Sequence, residues 1–137
     1  MLRWMALDIG SKTIGVALSD ALKLTTRPLT TIRRRDLTAD VAQVVELARV
    51  HGVERLIVGR PVHLDGTPSA TLEYIEPLVR GLQETCSIPI EWAEERLSTK
   101  EAEQVMAQAG LPIAERRKKR NEYAAAVILS WYIEDNR

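Results

Sequence analysis

The chain has 137 residues, is 45% hydrophobic and 28% charged, and balances 19 basic against 19 acidic side chains. That length suits one domain, residues 1–137, with a core of its own, and the composition is average for a soluble globular protein. No apolar stretch approaches the roughly 20 residues of a membrane span, the start reads without a secretory leader, and a single cysteine, Cys86, excludes an intrachain disulfide, so a reducing, cytoplasmic setting is expected.

Residues 2–9 read as a strand and Thr13–Ser19 as its antiparallel partner across a tight glycine-containing turn. A third strand is expected over Pro28–Arg33, with Pro28 at its start, where a missing N–H is tolerated. Leu37, Val41, Val44, Val45 and Ala48 recur at helical spacing and predict an amphipathic helix over about 37–50. Asp36 or Thr38 suits its cap, and Gly52 its end. Arg55–Gly59 is a short apolar run between a helix and a loop, the pattern of a buried parallel strand. Thr67 and Pro68 suit the start of a second helix with an apolar face of Ile75, Leu78, Val79 and Leu82. Pro77 should bend or split that helix. Residues 88–95 alternate as a fifth strand. Ser98 and Glu101 form a capping box for a third helix, which Gly110 and Pro112 stop. The basic run 116–120 is expected in a loop, and a last helix, opened by Asn121 and Glu122, carries the apolar stretch to the C-terminus. The order predicts an α/β fold: a five-stranded mixed sheet, its first three strands antiparallel, with helices on both faces.

The zero net charge hides clustering. Arg33, Arg34 and Arg35 are consecutive, as are Arg116, Arg117, Lys118, Lys119 and Arg120. Such blocks on a neutral chain suggest local anion binding, with a solvated loop as the plainer explanation. Asp8 ends the first strand, Glu94 or Glu95 ends the fifth, and Asn121 and Glu122 open the last helix. Open α/β sheets place ligands at such element ends. Metal-assisted phosphodiester cleavage needs carboxylates converging on divalent cations about 4 Å apart, and Mg²⁺ takes oxygen ligands. Each acid also has an ordinary explanation as a turn or strand-end residue. Lys12, Thr13 and Arg60 lie in loops beside the Asp8 strand end, Arg96 follows Glu95, and Ser98 and Thr99 start a helix whose N–H groups suit phosphate. His51 and His63 have no partner at ligand spacing. Trp4, Trp92 and Trp131 sit in regular elements and read as packing residues.

Four segments, "ALDIGSKTIGVALSD", "VGRPVHLDGTPS", "EERLSTKEAE" and "NEYAAAVIL", together resemble the YqgF/RuvX family in order and spacing, over nearly the whole chain. The resemblance implies an RNase H-like fold related to RuvC resolvases. It also implies a nuclease dependent on Mg²⁺ or Mn²⁺ that acts on structured nucleic acid. Its substrate would be an end of the precursor 16S rRNA or Holliday junction DNA, and a resolvase would call for a two-fold homodimer. Residue by residue, the family's first aspartate falls on Asp8 and the glutamate of its "DER" motif on Glu95, with Glu94 in place of the preceding aspartate. Gly59-Arg60-Pro61 stands where the family usually has Gly-Leu-Pro, adding a positive charge that suits a phosphate. The third family carboxylate is followed by two alanines at three and four residues and by Ile-Leu at seven and eight. Those offsets point to Asn121, with Ala124, Ala125, Ile128 and Leu129 following. The catalytic and metal-binding set implied is therefore Asp8, Glu95 and Asn121, and the candidate nucleic-acid contacts are Lys12, Thr13, Arg60, Arg96, Ser98, Thr99 and the run Arg116–Arg120.

An amide oxygen can bind a cation but brings no charge. The sequence leaves open whether Asn121 serves as it is, whether Glu122 replaces it, or whether Asn121 is a substitution that disables catalysis and leaves a nucleic-acid-binding protein. An Asp-x-Gly hairpin also occurs in nucleotide-binding units of the actin and sugar-kinase type. Those need two such domains, and this chain supplies one.

Overall fold

The computed structural model describes residues 3–60, 70–94 and 98–136. Five strands, β1 (Arg3–Ile9), β2 (Thr13–Ser19), β3 (Thr26–Arg33), β4 (Val53–Arg60) and β5 (Ile90–Glu94), form one sheet in the order β3-β2-β1-β4-β5. The three leading strands pair antiparallel, and β4 and β5 join in parallel on the other side of β1. The helices are α1 (Leu37–Val50), α2 (Glu76–Thr85), α3 (Ser98–Gln108) and α4 (Ile113–Asp135). No helix among the described residues is long and apolar enough to cross a membrane.

Strand alternation sorts the side chains between two faces. Met5, Leu7, Ile14, Val16, Leu18, Leu56 and Val58 point to one face, where they pack with Val41, Val44 and Ala48 of α1 and Leu78, Val79 and Leu82 of α2. Ala6, Ala17 and Ile57 point to the other and meet Ala125, Ala126, Ile128, Leu129 and Ile133 of α4. Outside α4 lies α3, joined through Ala102, Ala124 and Val127. Each fully buried aliphatic side chain contributes about 1.5–3 kcal/mol by leaving water.

Two local expectations change, those for Pro28 and for the basic run, while the expected division of the second helix is found. Pro28 is not the first residue of β3 but the third, opposite Ala17, where the β2–β3 register shifts. An edge strand with an irregularity tolerates the missing donor. The second helix is divided: a 3₁₀ turn over Ala70–Tyr74 precedes α2, and Pro77 sits in the first turn of α2, where no N–H is needed. Thr67 and Pro68 lie outside the described residues. The basic run is not a loop. Helix α4 starts at Ile113 and includes all of Arg116–Arg120. Arginine and lysine are good helix formers, and two of the five charges have partners: Arg120 Nε donates to Glu103 Oε1 of α3 at 2.6 Å, and Arg116 Nε to the Leu111 carbonyl at 2.8 Å.

Candidate active site

The carboxyl ends of β1, β4 and β5, the β1–β2 turn and the end of β3 all lie at one edge of the sheet. Asp8 is the sixth residue of β1 and half-buried. By alternation it shares the α4 face with Trp4 and Ala6. Beyond it the chain turns tightly, with Gly10 N–H donating to the Thr13 carbonyl at 2.7 Å.

Asn121 comes to the same place from α4. Asp8 is paired across the sheet with Gly15, and Gly15 is where α4 lies closest to the sheet. A Cβ there would sit 2.6 Å from the Glu122 backbone nitrogen and collide with the Asn121 carbonyl. Only glycine leaves room for the helix backbone, so Gly15 seats the third turn of α4, at Asn121 and Glu122, directly on β2. The Asn121 amide Nδ2 then donates to Thr13 Oγ1 at 2.5 Å and lies 3.5 Å from where a methyl on Gly10 would be. Gly10 is two residues past Asp8 and on the same face, which puts the amide beside the Asp8 strand end. Glu122 is directed elsewhere: its Oε2 accepts from Thr31 Oγ1 of β3 at 3.0 Å.

The turn is held from behind by a residue that sequence reasoning missed. Arg34 has a side chain only 12% exposed and ties three elements together. Its guanidinium donates to Asp40 Oδ2 of α1 at 3.1 Å, to the Gly10 carbonyl at 3.1 Å and to the Tyr74 carbonyl at 3.0 Å. Asp40 in turn accepts from the Arg35 N–H at 2.9 Å. A sequence signal did exist: Asp40 is an acid one residue before Val41 and four before Val44, on the inward stripe of α1. A buried acid requires a paired cation.

The remaining candidates divide. Lys12 is exposed in the turn, and its carbonyl accepts from the Arg34 N–H at 2.8 Å. Arg60 ends β4, in register with Glu94. Its guanidinium lies 6.0 Å from the Trp92 ring centroid, on the face opposite Asp8. Glu94 shares that opposite face with Ile90 and Trp92 by alternation. Glu95 and Arg96 lie outside the described residues, as does His63. Helix α3 begins at Ser98 and Thr99, near the same sheet edge as β5 ends. In α4, Arg117 and Lys118 are exposed and precede Asn121 by four and three residues, one helical turn or about 5.4 Å along the axis. Trp4 packs edge-on against Tyr132 with centroids 5.5 Å apart, and Trp131 flanks the α3–α4 contact. Both fit the packing role expected for them. Trp92 is 39% exposed.

The fit of a divalent cation follows from the donors present. Among the described residues no three acidic, histidine or cysteine side chains come together as a metal cluster. Those residues supply one carboxylate, Asp8, and one amide. The Asn121 amide nitrogen bonds Thr13, and its carbonyl oxygen is the donor atom it could offer a cation. Both are hard oxygen donors of the kind Mg²⁺ and Mn²⁺ take.

The family described as "RuvX: Holliday junction resolvase" matches residues 2–135. A Moorella thermoacetica protein, named as a proposed pre-16S rRNA nuclease, is 44% identical over 133 residues, 97% of this chain and 95% of its own. A Symbiobacterium thermophilum protein of the same name is 45% identical over 128 residues, 93% of this chain and 89% of its own. Among solved structures, Thermus thermophilus RuvC bound to a Holliday junction superposes with a TM-score of 0.62 at 16% identity, covering 99% of this chain and 96% of that one. The fowlpox virus resolvase bound to Holliday junction DNA does so with a TM-score of 0.62 at 13% identity, covering 98% of each. At such identities the likeness concerns the fold, which is the RuvC-like RNase H fold.

Proposed function

The chain belongs to the RuvX family, and we propose that it is a divalent-metal-dependent endonuclease acting on precursor 16S rRNA. The observation that carries this reading is that Asn121 lies over Gly15, the cross-strand partner of Asp8, at the carboxyl edge of the sheet, with the Arg117–Lys118 turn of α4 one helical turn away. Asp8 and the Asn121 carbonyl oxygen would hold Mg²⁺ or Mn²⁺, with Glu95 as the further ligand that the family motif nominates. When bound, the metal supplies water activation and stabilises the leaving oxygen.

The protein's own groups do the positioning. Thr13 fixes the Asn121 amide plane. Gly10 keeps the turn free of a side chain where a sugar-phosphate strand must approach closely. Arg117 and Lys118 attract the phosphate, and the seating of α4 on Gly15 fixes their turn relative to the β1 end. A pair of carboxyl and amide oxygens has one negative charge fewer than a pair of carboxylates, so metal affinity is the property most open to change.

The test is cleavage of a transcript spanning the 5′ end of precursor 16S rRNA, beside a four-way DNA junction, with Mg²⁺ or Mn²⁺. The RNA is cut and Asp8→Ala lowers the rate at least about 100-fold, the usual scale for a group that stabilises the transition state directly. Asn121→Asp raises cleavage at limiting metal about tenfold, equivalent to ~1.4 kcal/mol of binding. Full activity of Asp8→Ala rejects this site. Wild-type protein that binds RNA without cutting it, while Asn121→Asp cuts, identifies a binding protein with a disabled centre. Cleavage of the junction alone makes DNA the substrate.

A further inference from the structure

The arginine triplet is not absorbed by the site above. At the β1–β2 turn, where β3 passes into α1, there is a cleft of about 680 Å³, whose lining includes Lys12, Arg33, Arg34, Arg35, Asp40 and Tyr74. Four cations face one acid there. Arg34 and Asp40 neutralise each other in the buried pair, which leaves Lys12, Arg33 and Arg35, all exposed. The nearby Asp36 is turned into α1, where it accepts from the Ala39 N–H at 2.9 Å.

These three charges stand on a fixed frame. Thr13 pairs with Arg33 across the sheet, Arg34 N–H reaches the Lys12 carbonyl at 2.8 Å, and Arg35 N–H reaches Asp40 at 2.9 Å. A solvated loop needs no such scaffold. The groove along β5 and the second half of α4 has a similar volume and the opposite character. Glu91, Glu134 and Asp135 are among its lining residues, with no arginine or lysine among its described lining residues. A polyanion lying over Asp8 is drawn toward the first cleft.

We propose that the Lys12–Arg33–Arg35 cleft binds the sugar-phosphate backbone of the substrate at a second point, remote from the scissile bond. The identity of that substrate rests on the nuclease reading above. Strand β3 lies two strand spacings from β1, about 10 Å. The contact therefore falls beyond the phosphates next to the scissile bond. The strand therefore runs from the Arg117–Lys118 turn, across Asp8, to the edge of β3. The cleft holds phosphate and reads no base, so it contributes register and affinity without sequence preference.

The experiment is fluorescence anisotropy with the labelled precursor transcript in EDTA, between about 50 and 200 mM salt. The K12Q/R33Q/R35Q variant is compared with wild type and with R27Q/R80Q, which removes two exposed arginines elsewhere. The plot of log affinity against log salt loses about 2 to 3 units of slope in the triple variant, at 0.7–0.9 per phosphate contact, and keeps its slope in the control. Arg35→Glu alone gives a smaller loss in the same direction and serves if the triple variant folds poorly by circular dichroism. An unchanged slope, an equal loss in the control, or no binding by wild type overturns the cleft. Cleavage of the same transcript with Mn²⁺ separates the two readings. A wild type that cuts while the triple variant keeps its slope leaves the nuclease standing without the cleft. A wild type that never cuts while the variant loses slope leaves the cleft without the nuclease.

Discussion

On one face the sheet meets its helices through Met5, Leu7, Ile14, Leu18 and Leu56; on the other it meets α4 through Ala6, Gly15 and Ala17. Large side chains hold α1 and α2 off the strands and fill the space with apolar volume. Small ones let the α4 backbone rest on β2. The first arrangement removes the most surface from water and so supplies most of the stability. The second gives up volume for proximity, and proximity brings Asn121 to the Asp8 strand end. Stability and site geometry are thus written on opposite sides of the same strands, one residue apart in sequence.

The largest effect that separates the two faces is a cavity on the α1–α2 side. Leu56 is fully buried. Leu56→Ala costs about 2–5 kcal/mol and lowers the thermal midpoint by roughly 10 °C. Below that midpoint its cleavage rate stays within about threefold of wild type, because the Asp8–Asn121 end does not lie on that face. A hundredfold loss of cleavage in folded Leu56→Ala would mean that the faces are not independent.

Gly15→Ala reverses the pattern. The new methyl meets helix backbone, which cannot swing aside as a side chain does. Overpacking of this kind costs about 1–3 kcal/mol, less than the cavity. Moving the Asn121–Glu122 turn of α4 by about an ångström costs about 100-fold in rate. Loss of the Asn121–Thr13 hydrogen bond should be visible as faster amide proton exchange at the Asn121 side chain. A Gly15→Ala protein that cleaves at the wild-type rate would show that the close approach does not set the site.

How much of this the sequence reveals depends on the range of the cause. The five strands, their mixed order and the apolar faces of α1 and α2 are legible because alternation and helical spacing are local. The seat of α4 is partly legible: the alanines are in view, but Gly15 looks like any strand glycine until Asn121 lies over it. The basic run misleads: it reads as a loop after Gly110 and Pro112, yet it is helical, and while the Leu111 carbonyl is a local partner for Arg116, Glu103 reaches Arg120 only through the packing of α3 on α4. Arg34 hides within a triplet whose members look alike, and it differs only through Asp40, Gly10 and Tyr74, which folding brings to it. Asp8 and Asn121 are legible as candidates from the family motifs, and their meeting requires α4 to run back along β1. Glu95 lies outside the described residues, so the carboxylate half of the implied set rests here on Asp8.

The smallest expected effect gives the sharpest contrast, because it places the same substitution on the opposite face. Gly81 lies in α2, and a Cβ there would come 2.7 Å from Val41 Cγ2 of α1. That is also a tight approach, but to a methyl group rather than to backbone. A small shift of Val41 and α1 relieves it at a cost of order 1 kcal/mol. Alanine gains about 1 kcal/mol over glycine inside a helix, so the two nearly cancel. Gly81→Ala is therefore expected within about 0.5 kcal/mol of wild type, with unchanged cleavage, as read by denaturant midpoint and single-turnover rate. If Gly81→Ala instead loses as much as Gly15→Ala, tightness alone decides the cost, and the distinction between a backbone seat and a side-chain contact fails. If only Gly15→Ala loses activity, the α4 face is set by the need to hold Asn121 beside Asp8.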